Sequence, residues 1–275
     1  MDVILLGTGS PIPDPRRAGP ATLVRAGDAT ILIDCGRGAV MRLAGAGVMP
    51  QMLNAVVITH MHSDHICDLN DVITSHWVMS PIPRPLTIYG PKGTNALVEA
   101  TLAMLAPDVG YRLEHHADLN AGPDLVVTEL APGDVVRVGS CELAAYPTEH
   151  SPVRPTLGYR ITCGAAVAAI AGDTIPCEGL DALCKDAGVY VQTVVRDDLV
   201  RLVPSRRFQD ILDYHSTVEQ AGRTAQKAGV KTLLLTHYVP PLQPGDEDDW
   251  RARAAAHFNG DIVLGDDLTQ VMVPE

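Results

Sequence analysis

The length, composition and charge of the chain exclude several classes of protein. Its 275 residues, 46% hydrophobic and 20% charged, are typical of a globular protein with a sizeable core. The formal net charge of −12 opposes non-specific binding to nucleic acid, which depends on lysine and arginine neutralising phosphates. The N-terminus lacks the basic region of a signal peptide, no apolar stretch reaches membrane-spanning length, and the six cysteines form no CxxC pair. We therefore expect a protein of the reducing cytoplasm with no membrane partner.

The predicted elements alternate between strands and helices along the chain. In the first half, strands are predicted at 3–6, 21–26, 29–34, 55–60 and 85–90, and helices at 38–47, 68–79 and 94–105. In the second half, strands are predicted at 125–130, 134–139, 141–148, 156–162, 165–174, 189–195, 231–237 and within 261–273, and helices at 180–188, 215–229 and 250–258. Because many strands are continuously apolar, we expect an α/β architecture of helix-covered sheets, in one domain spanning 1–275.

Four of the apolar strands lead directly into a histidine or an aspartate. The segments AVVITH, AAYPTEH, VAAIAGD and TLLLTH end at His60, His150, Asp173 and His237. Imidazole and carboxylate groups are common metal ligands. Four buried strands with such ends predict one shared edge at which these side chains converge.

The densest cluster of potential ligands is HMHSDH, at residues 60–65. A turn that leaves a strand can point His60 and His62 the same way, and the start of a helix then directs Asp64 and His65 to an adjacent position. The cluster therefore predicts two neighbouring half-sites. Imidazole and carboxylate ligands suit zinc best, with Mn²⁺ or Fe²⁺ as alternatives.

This HxHxDH pattern resembles the signature of the metallo-β-lactamase-fold hydrolases. The resemblance extends over essentially the whole chain and is strongest to the ribonuclease Z and arylsulfatase-like branch. The matching segments are LLGTGSPIPDPRRAGPATLV (5–24), ILIDCG (31–36), TEHS (148–151), AGDT (171–174), HST (215–217) and LTH (235–237). The resemblance implies a four-layer αββα sandwich with a binuclear metal site, normally two Zn²⁺, at one edge of its two sheets.

Carried over residue by residue, the resemblance also implies a ligand set. His60, His62 and His150 would hold the first metal, Asp64, His65 and His237 the second, and Asp173 would bridge them. Asp34 matches a position that orients a ligand histidine. The di-iron, oxygen-reducing members of this fold have a glutamate in place of His62, so the histidine favours the hydrolytic zinc enzymes.

His215 and Asp64 are the candidates for direct catalytic roles, Asp64 while also serving as a ligand. In the ribonuclease Z-like branch, a histidine that opens the helix matching 215–229 lies near the metals without ligating them. A phosphodiester or aryl ester leaving oxygen needs a proton, and histidine can supply one near neutral pH. The resemblance therefore implies that His215 assists the leaving group.

Substrate recognition is where the chain departs from ribonuclease Z. The interval between His150 and Asp173, 23 residues, is too short for the flexible arm that grips tRNA in bacterial members. With no lysine-rich segment and an aromatic content of 4%, nucleic acid is not expected as a partner. The candidates for contacting a small substrate are Arg206, Arg207, Trp77, Tyr190 and Asp68, the last at a position where many members have glycine.

The sequence thus predicts a binuclear zinc hydrolase, expected as a homodimer because relatives of this branch commonly dimerise. A metal-bridging hydroxide would cleave a small phosphodiester or related aryl ester. A lactone or other carboxylic ester is the alternative substrate. Cleavage at the 3′ end of tRNA, or a sensor that binds metal without turnover, are further alternatives.

Overall fold

The computed structural model describes residues 1–274 and consists of β-strands and α-helices with short connections. The strands are β1 (Asp2–Gly7), β2 (Ala21–Ala26), β3 (Ala29–Ile33), β4 (Ala55–Val57), β5 (Leu86–Gly90), β6 (Leu125–Glu129), β7 (Val135–Val138), β8 (Cys141–Pro147), β9 (Leu157–Cys163), β10 (Ala166–Ile170), β11 (Val189–Val195), β12 (Thr232–Val239), β13 (Asp261–Leu264) and β14 (Gln270–Met272). The helices are α1 (Ala39–Gly45), α2 (Ser63–Ile66), α3 (Leu69–Met79), α4 (Thr94–His115), α5 (Glu178–Cys184), α6 (Asp197–Leu202), α7 (Arg206–Gln209), α8 (Val218–Ala228) and α9 (Glu247–Ala255). Short 3₁₀ helices lie at Pro50–Met52 and Asp210–Asp213.

The strands form two seven-stranded sheets within the described residues. The first has the order β14-β1-β2-β3-β4-β5-β6, and the second has the order β13-β12-β11-β10-β9-β8-β7. One apolar core lies between the sheets, where Val24 and Ile31 of the first sheet join Leu143 and Val191 of the second. Two further cores join the outer face of the first sheet to α1, α3 and α4, and that of the second to α5, α8 and α9. This arrangement confirms the predicted αββα sandwich.

Local sequence signals explain where several helices begin and end. The hydroxyl of Thr217 accepts the amide of Gln220, and the Gln220 side chain accepts the amide of Thr217, so α8 begins with a capping box. Gly229 ends it with φ of 70°, a conformation that glycine adopts without strain. The helix α4 extends to His115, ten residues beyond its predicted end, and α6 and α7 were not predicted.

Two strands are shorter than their apolar sequences suggest, and this places the candidate ligands. Pairing ends at Val57 in β4 and at Ile170 in β10, so His60 and Asp173 lie on the loops that follow. Gly172 turns the second loop with φ of 64°, and a Cβ at this position would lie 2.9 Å from that of Thr59. The turn before Asp173 therefore requires glycine. Among residues 1–274, no helix combines the length and the apolarity needed to cross a membrane.

Candidate metal centre

The candidate ligands converge at one edge of the two sheets. His60 and His62 follow β4, Asp64 and His65 lie on the short helix α2, and the other three come from the second sheet. Three groups each bring ligand atoms within 4.8 Å of one another: a first group of His60, His62, His150 and Asp173; a second group of Asp64, His65 and His237; and a third of Asp173, His215 and His237, which shares two residues with the others. The structure therefore brings together all seven residues that the resemblance assigned to the metals.

In the first group, three imidazole nitrogens face one another. Nδ1 of His62 lies 3.1 Å from Nε2 of His60 and 3.2 Å from Nε2 of His150. Tetrahedral zinc places neighbouring nitrogen ligands roughly 3.3 Å apart, so this spacing fits the ion. Burial lowers the pKa of His60 and His62, and lowers the pKa of His150 to about 4. Neutral nitrogens that converge in this way form a site for a cation.

Asp173 lies at the centre of the cluster. Its Oδ2 atom is 3.3 to 3.8 Å from the Nε2 atoms of five histidines, which are His60, His65, His150, His215 and His237. Its other carboxylate oxygen, Oδ1, is buried and has no hydrogen-bond partner among residues 1–274. Orphaned buried atoms are rare unless an ion or a water satisfies them, so the donor set fits a divalent metal pair.

In the second group, the histidines lie beside carboxylates. Nε2 of His237 is 3.3 Å from Oδ2 of Asp64, and Nε2 of His65 is 3.4 Å from Oδ2 of Asp173. Burial disfavours the charged form of both histidines, but the neighbouring carboxylates outweigh it and raise the pKa of each. His237 adopts φ of 54°, which is strained for a residue other than glycine and marks a position held by its surroundings.

Asp34 orients histidines of both groups through one carboxylate. Its Oδ2 atom accepts the Nδ1 proton of His65 at 2.7 Å and the hydroxyl proton of Thr59 at 2.8 Å. The Thr59 oxygen then accepts the Nδ1 proton of His60 at 3.0 Å. These bonds turn the Nε2 atoms of His60 and His65 toward the cluster.

Backbone carbonyls orient the histidines of the other side. Nδ1 of His150 donates to the carbonyl of Tyr214 at 2.8 Å, and Nδ1 of His215 donates to that of Ile211 at 3.1 Å. A carbonyl can only accept, so both protons lie on Nδ1 and both Nε2 atoms face the cluster. Nε2 of His215 then lies 3.3 Å from Oδ2 of Asp173. His215 therefore lies directly beside the other candidate ligands.

A cavity of about 500 Å³ opens onto the cluster. Its polar side includes His62, Asp64, Asp173, His215 and His237. Its other side is formed by the Pro-rich loop after β1, by the end of β12 and by the segment from Ser205 to Tyr214. The residues there are Pro11, Ile12, Val239, Ser205, Arg207, Phe208, Ile211 and Tyr214. Sequence reasoning missed Phe208, Ile211, Tyr214 and Thr59. The available signal was Tyr214, directly before HST.

Of the predicted substrate contacts, the structure places only Arg207 at this cavity. The Arg206 side chain is 95% exposed and pairs with Asp210, because the first turn of α7 directs it to solvent. The strand β11 alternates its side chains, so Tyr190 points to the helices of the outer core and is fully buried there. The prediction that Tyr190 forms a wall of the pocket is therefore wrong, as is the prediction for Arg206.

Trp77 and Asp68 also lie elsewhere. The Trp77 indole donates to the carbonyl of Ala121 and borders a different cavity, at the end of α3. The Asp68 carboxylate accepts the amide of Val40 at 3.0 Å, in the first turn of α1. Asp68 directly precedes α3, but its side chain makes no cap hydrogen bond there. Instead it satisfies the start of a different helix, because α3 begins where α1 packs against it.

Comparisons with known proteins agree with this fold and site. A family model described as a β-lactamase superfamily domain matches residues 29–238. The chain belongs to this superfamily, and it is a metal-dependent hydrolase of the metallo-β-lactamase fold. More particularly, a ribonuclease Z of Mycobacterium avium (strain 104) is 53% identical over 275 residues, which cover 99% of this chain and 98% of that protein.

Solved structures of more distant proteins show the same fold. The short form of human tRNase Z has a TM-score of 0.74 and 22% identity, and the match covers 100% of both chains. The metallo-β-lactamase fold protein YhfI from Bacillus subtilis also has a TM-score of 0.74 and 22% identity, over 98% of each chain.

The comparisons overturn the expectation that nucleic acid is not a partner. The argument from the missing arm fails because the Mycobacterium avium relative, matched over 98% of its length, has no room for a long insertion and is still named a ribonuclease. The argument from the net charge of −12 fails for a physical reason. Total charge describes the whole surface, whereas binding of a phosphate depends on the local field, and the cavity beside the cluster is lined by Arg207.

Proposed function

We propose that the protein is an endoribonuclease that hydrolyses a phosphodiester at the 3′ end of precursor tRNA, with two zinc ions at the cluster. The observation that carries the proposal is the arrangement of two complete ligand groups around Asp173, with His215 beside them and oriented by a backbone carbonyl. End-to-end similarity to a ribonuclease Z supports RNA as the substrate. This substrate replaces the small ester predicted from the sequence.

The ligand groups and His215 have different tasks in this reaction. When bound, the ions would supply the nucleophile by lowering the pKa of water and would stabilise charge on the phosphate. His215 keeps one proton on Nδ1, which the Ile211 carbonyl accepts, so a second proton resides on Nε2 when the ring is charged. As the P–O bond breaks, that Nε2 proton passes to the leaving oxygen, and the neutral ring remains bonded to Ile211.

Arg207 contributes a positive charge to the wall of the cavity beside the cluster. The guanidinium group binds phosphate through several donors and stays charged at all working pH values. Arg207 would therefore contact a phosphate next to the cleaved one. Zinc as the metal in the cell, a homodimer, a single domain and a cytoplasmic location belong to the same proposal, and they rest on the sequence and the resemblance.

The experiment is cleavage of a precursor tRNA with a 3′ trailer by the zinc-loaded protein, with the new ends mapped. We expect one cut at the trailer boundary, and we expect His215→Ala to lower the rate by roughly 10²- to 10⁴-fold. The rate of hydrolysis of bis(4-nitrophenyl) phosphate, whose leaving group needs no proton, should fall much less in this variant. Faster turnover of this ester, of an aryl sulfate or of a lactone, with the tRNA left intact, would contradict the proposal and restore the small-ester alternative.

A further inference from the structure

One side of the cavity is apolar, and the metal chemistry does not require it. Ile12, Phe208 and Ile211 pack against a small buried core that includes Val195 and Val239. This wall is therefore anchored to the end of β11 and to β12. Phosphate and metal ions gain nothing from an apolar surface. A substrate that uses this wall carries an apolar, flat group next to its phosphate.

Two aromatic rings on this wall differ in their freedom to meet a substrate. The Tyr214 ring packs edge-on against His150, with centroids 5.1 Å apart, and lies 4.8 Å from His215. Phe208 makes no such contact with a ligand histidine. It lies half-buried on α7, whose first turn is capped by the Ser205 hydroxyl. Phe208 therefore offers a ring face at the cavity without a role in holding the ligands.

We propose that Phe208 stacks against the base of the nucleotide that carries the leaving oxygen, with Tyr214 and Ile211 beside it. The inference rests on the proposed function and names the residues that bind one nucleotide. Bases stack on aromatic side chains regardless of their identity, because each base has a π-face. Phe208 would thus select for the presence of a base and not for its sequence.

The position of His215 decides which nucleotide is bound. Its Nε2 atom faces the cluster and would donate a proton to the leaving oxygen. The leaving oxygen therefore lies within hydrogen-bond distance of Nε2, and the sugar that bears this oxygen lies next to the His215 ring. Phe208, Ile211 and Tyr214 precede His215 in one continuous segment and line the same cavity. The base on that sugar therefore meets this wall, and the nucleotide on the other side of the phosphate does not.

The size of the cavity adds a condition on the RNA. About 500 Å³ is within the ordinary range for small ligands, roughly 300–1,000 Å³, and suits one nucleotide rather than a base-paired helix. Proteins recognise RNA mostly at unpaired ends and loops, where a base can leave its stack and meet an aromatic ring. The nucleotide held by Phe208 is therefore unpaired when it is bound.

The test is a double-mutant cycle, in which Phe208 is changed in the protein and one base is removed from the RNA. It is measured with the zinc-loaded enzyme. One precursor tRNA carries a normal base on the nucleotide with the leaving oxygen, and the other is abasic there. For the wild type, removal of the base should lower kcat/KM by roughly 5- to 150-fold, the range for one stacked base. For Phe208→Leu, which keeps the apolar volume, the same removal should have little effect. Phe208→Tyr should restore the wild-type response.

A second measurement reports binding rather than turnover. With 2-aminopurine as that base, stacking should quench its fluorescence in the first phase after mixing, before cleavage. The quench should be absent in Phe208→Leu and unchanged in Leu202→Ala, a control at an exposed apolar residue outside the cavity. An equal loss on base removal in the wild type and in Phe208→Leu would overturn the stacking assignment alone. A wild type that cleaves no precursor tRNA would overturn the proposed function, and this assignment with it.

Discussion

The two ligand groups of the cluster use similar residues in different electrostatic surroundings. Burial dominates in the first group, so its histidines have lowered pKa values, about 4 for His150. In the second group, Asp64, Asp173 and Asp34 surround His65 and His237 and raise their pKa values. Histidines a few ångströms apart thus have pKa values shifted in opposite directions.

The two halves of the candidate metal centre are therefore not electrostatically equivalent. A metal ion entering the second group would compete with protons more strongly than one entering the first, because the histidines there have raised pKa values. Asp34 links the two groups, directly through His65 and through Thr59 to His60.

Removal of a ligand should have the largest effect. His62→Ala should lose the first ion and His237→Ala the second, and each should lower activity by more than the roughly 100-fold expected for a supporting residue. Elemental analysis would count the ions per chain, and hydrolysis of bis(4-nitrophenyl) phosphate would report activity. Two ions per chain in His62→Ala would disprove the ligand assignment.

Replacement of the linking carboxylate should have the next largest effect. Asp34→Asn keeps a side chain that tolerates the φ of 57° at this position but weakens the acceptor for His65. We expect metal affinity to fall roughly 10- to 100-fold, more for the second ion than for the first. Asp68→Ala is the matched control, since that aspartate binds the start of α1. It should lower stability by about 1 kcal/mol and leave zinc titrations unchanged.

The proton difference should appear as a pH dependence of only one ion. The pKa values of the first group's histidines are lowered, to about 4 for His150, so affinity for the first ion should change little between pH 7.5 and about 5. Because the pKa values of His65 and His237 are raised, both bind protons as the pH falls. Affinity for the second ion should then drop about tenfold per pH unit for each proton displaced. Calorimetry in two buffers of different ionisation enthalpy would count those protons, and equal release for both ions would contradict the prediction.

Loss of the indirect link should have the smallest effect. Thr59→Val removes the hydroxyl that joins His60 to Asp34 and leaves the direct bond from His65 intact. Loss of a hydrogen bond with a net contribution of about 1 kcal/mol should lower the affinity for the first ion about fivefold and leave the affinity for the second ion unchanged. A larger loss of the second ion would show that the groups are not supported separately.

Some of these features were predictable because their determinants are close in the chain. HMHSDH supplies four ligands within six residues, and the Thr217 cap and Gly229 mark the ends of α8. The direction of a side chain was harder to predict. The strand β11 is apolar on both faces, so its sequence did not show that Tyr190 points away from the site.

The sequence by itself determined the fold family, the ligand types and the order in which they occur, because periodicity and dense motifs are local properties. Only the tertiary structure decided which atoms meet. Tyr214 and Ile211 orient His150 and His215 through carbonyls, which every residue type possesses and no sequence pattern reveals. The tertiary structure also places Phe208 at the cavity and Trp77, Tyr190 and Asp68 elsewhere, because packing sets which face of each element meets the site.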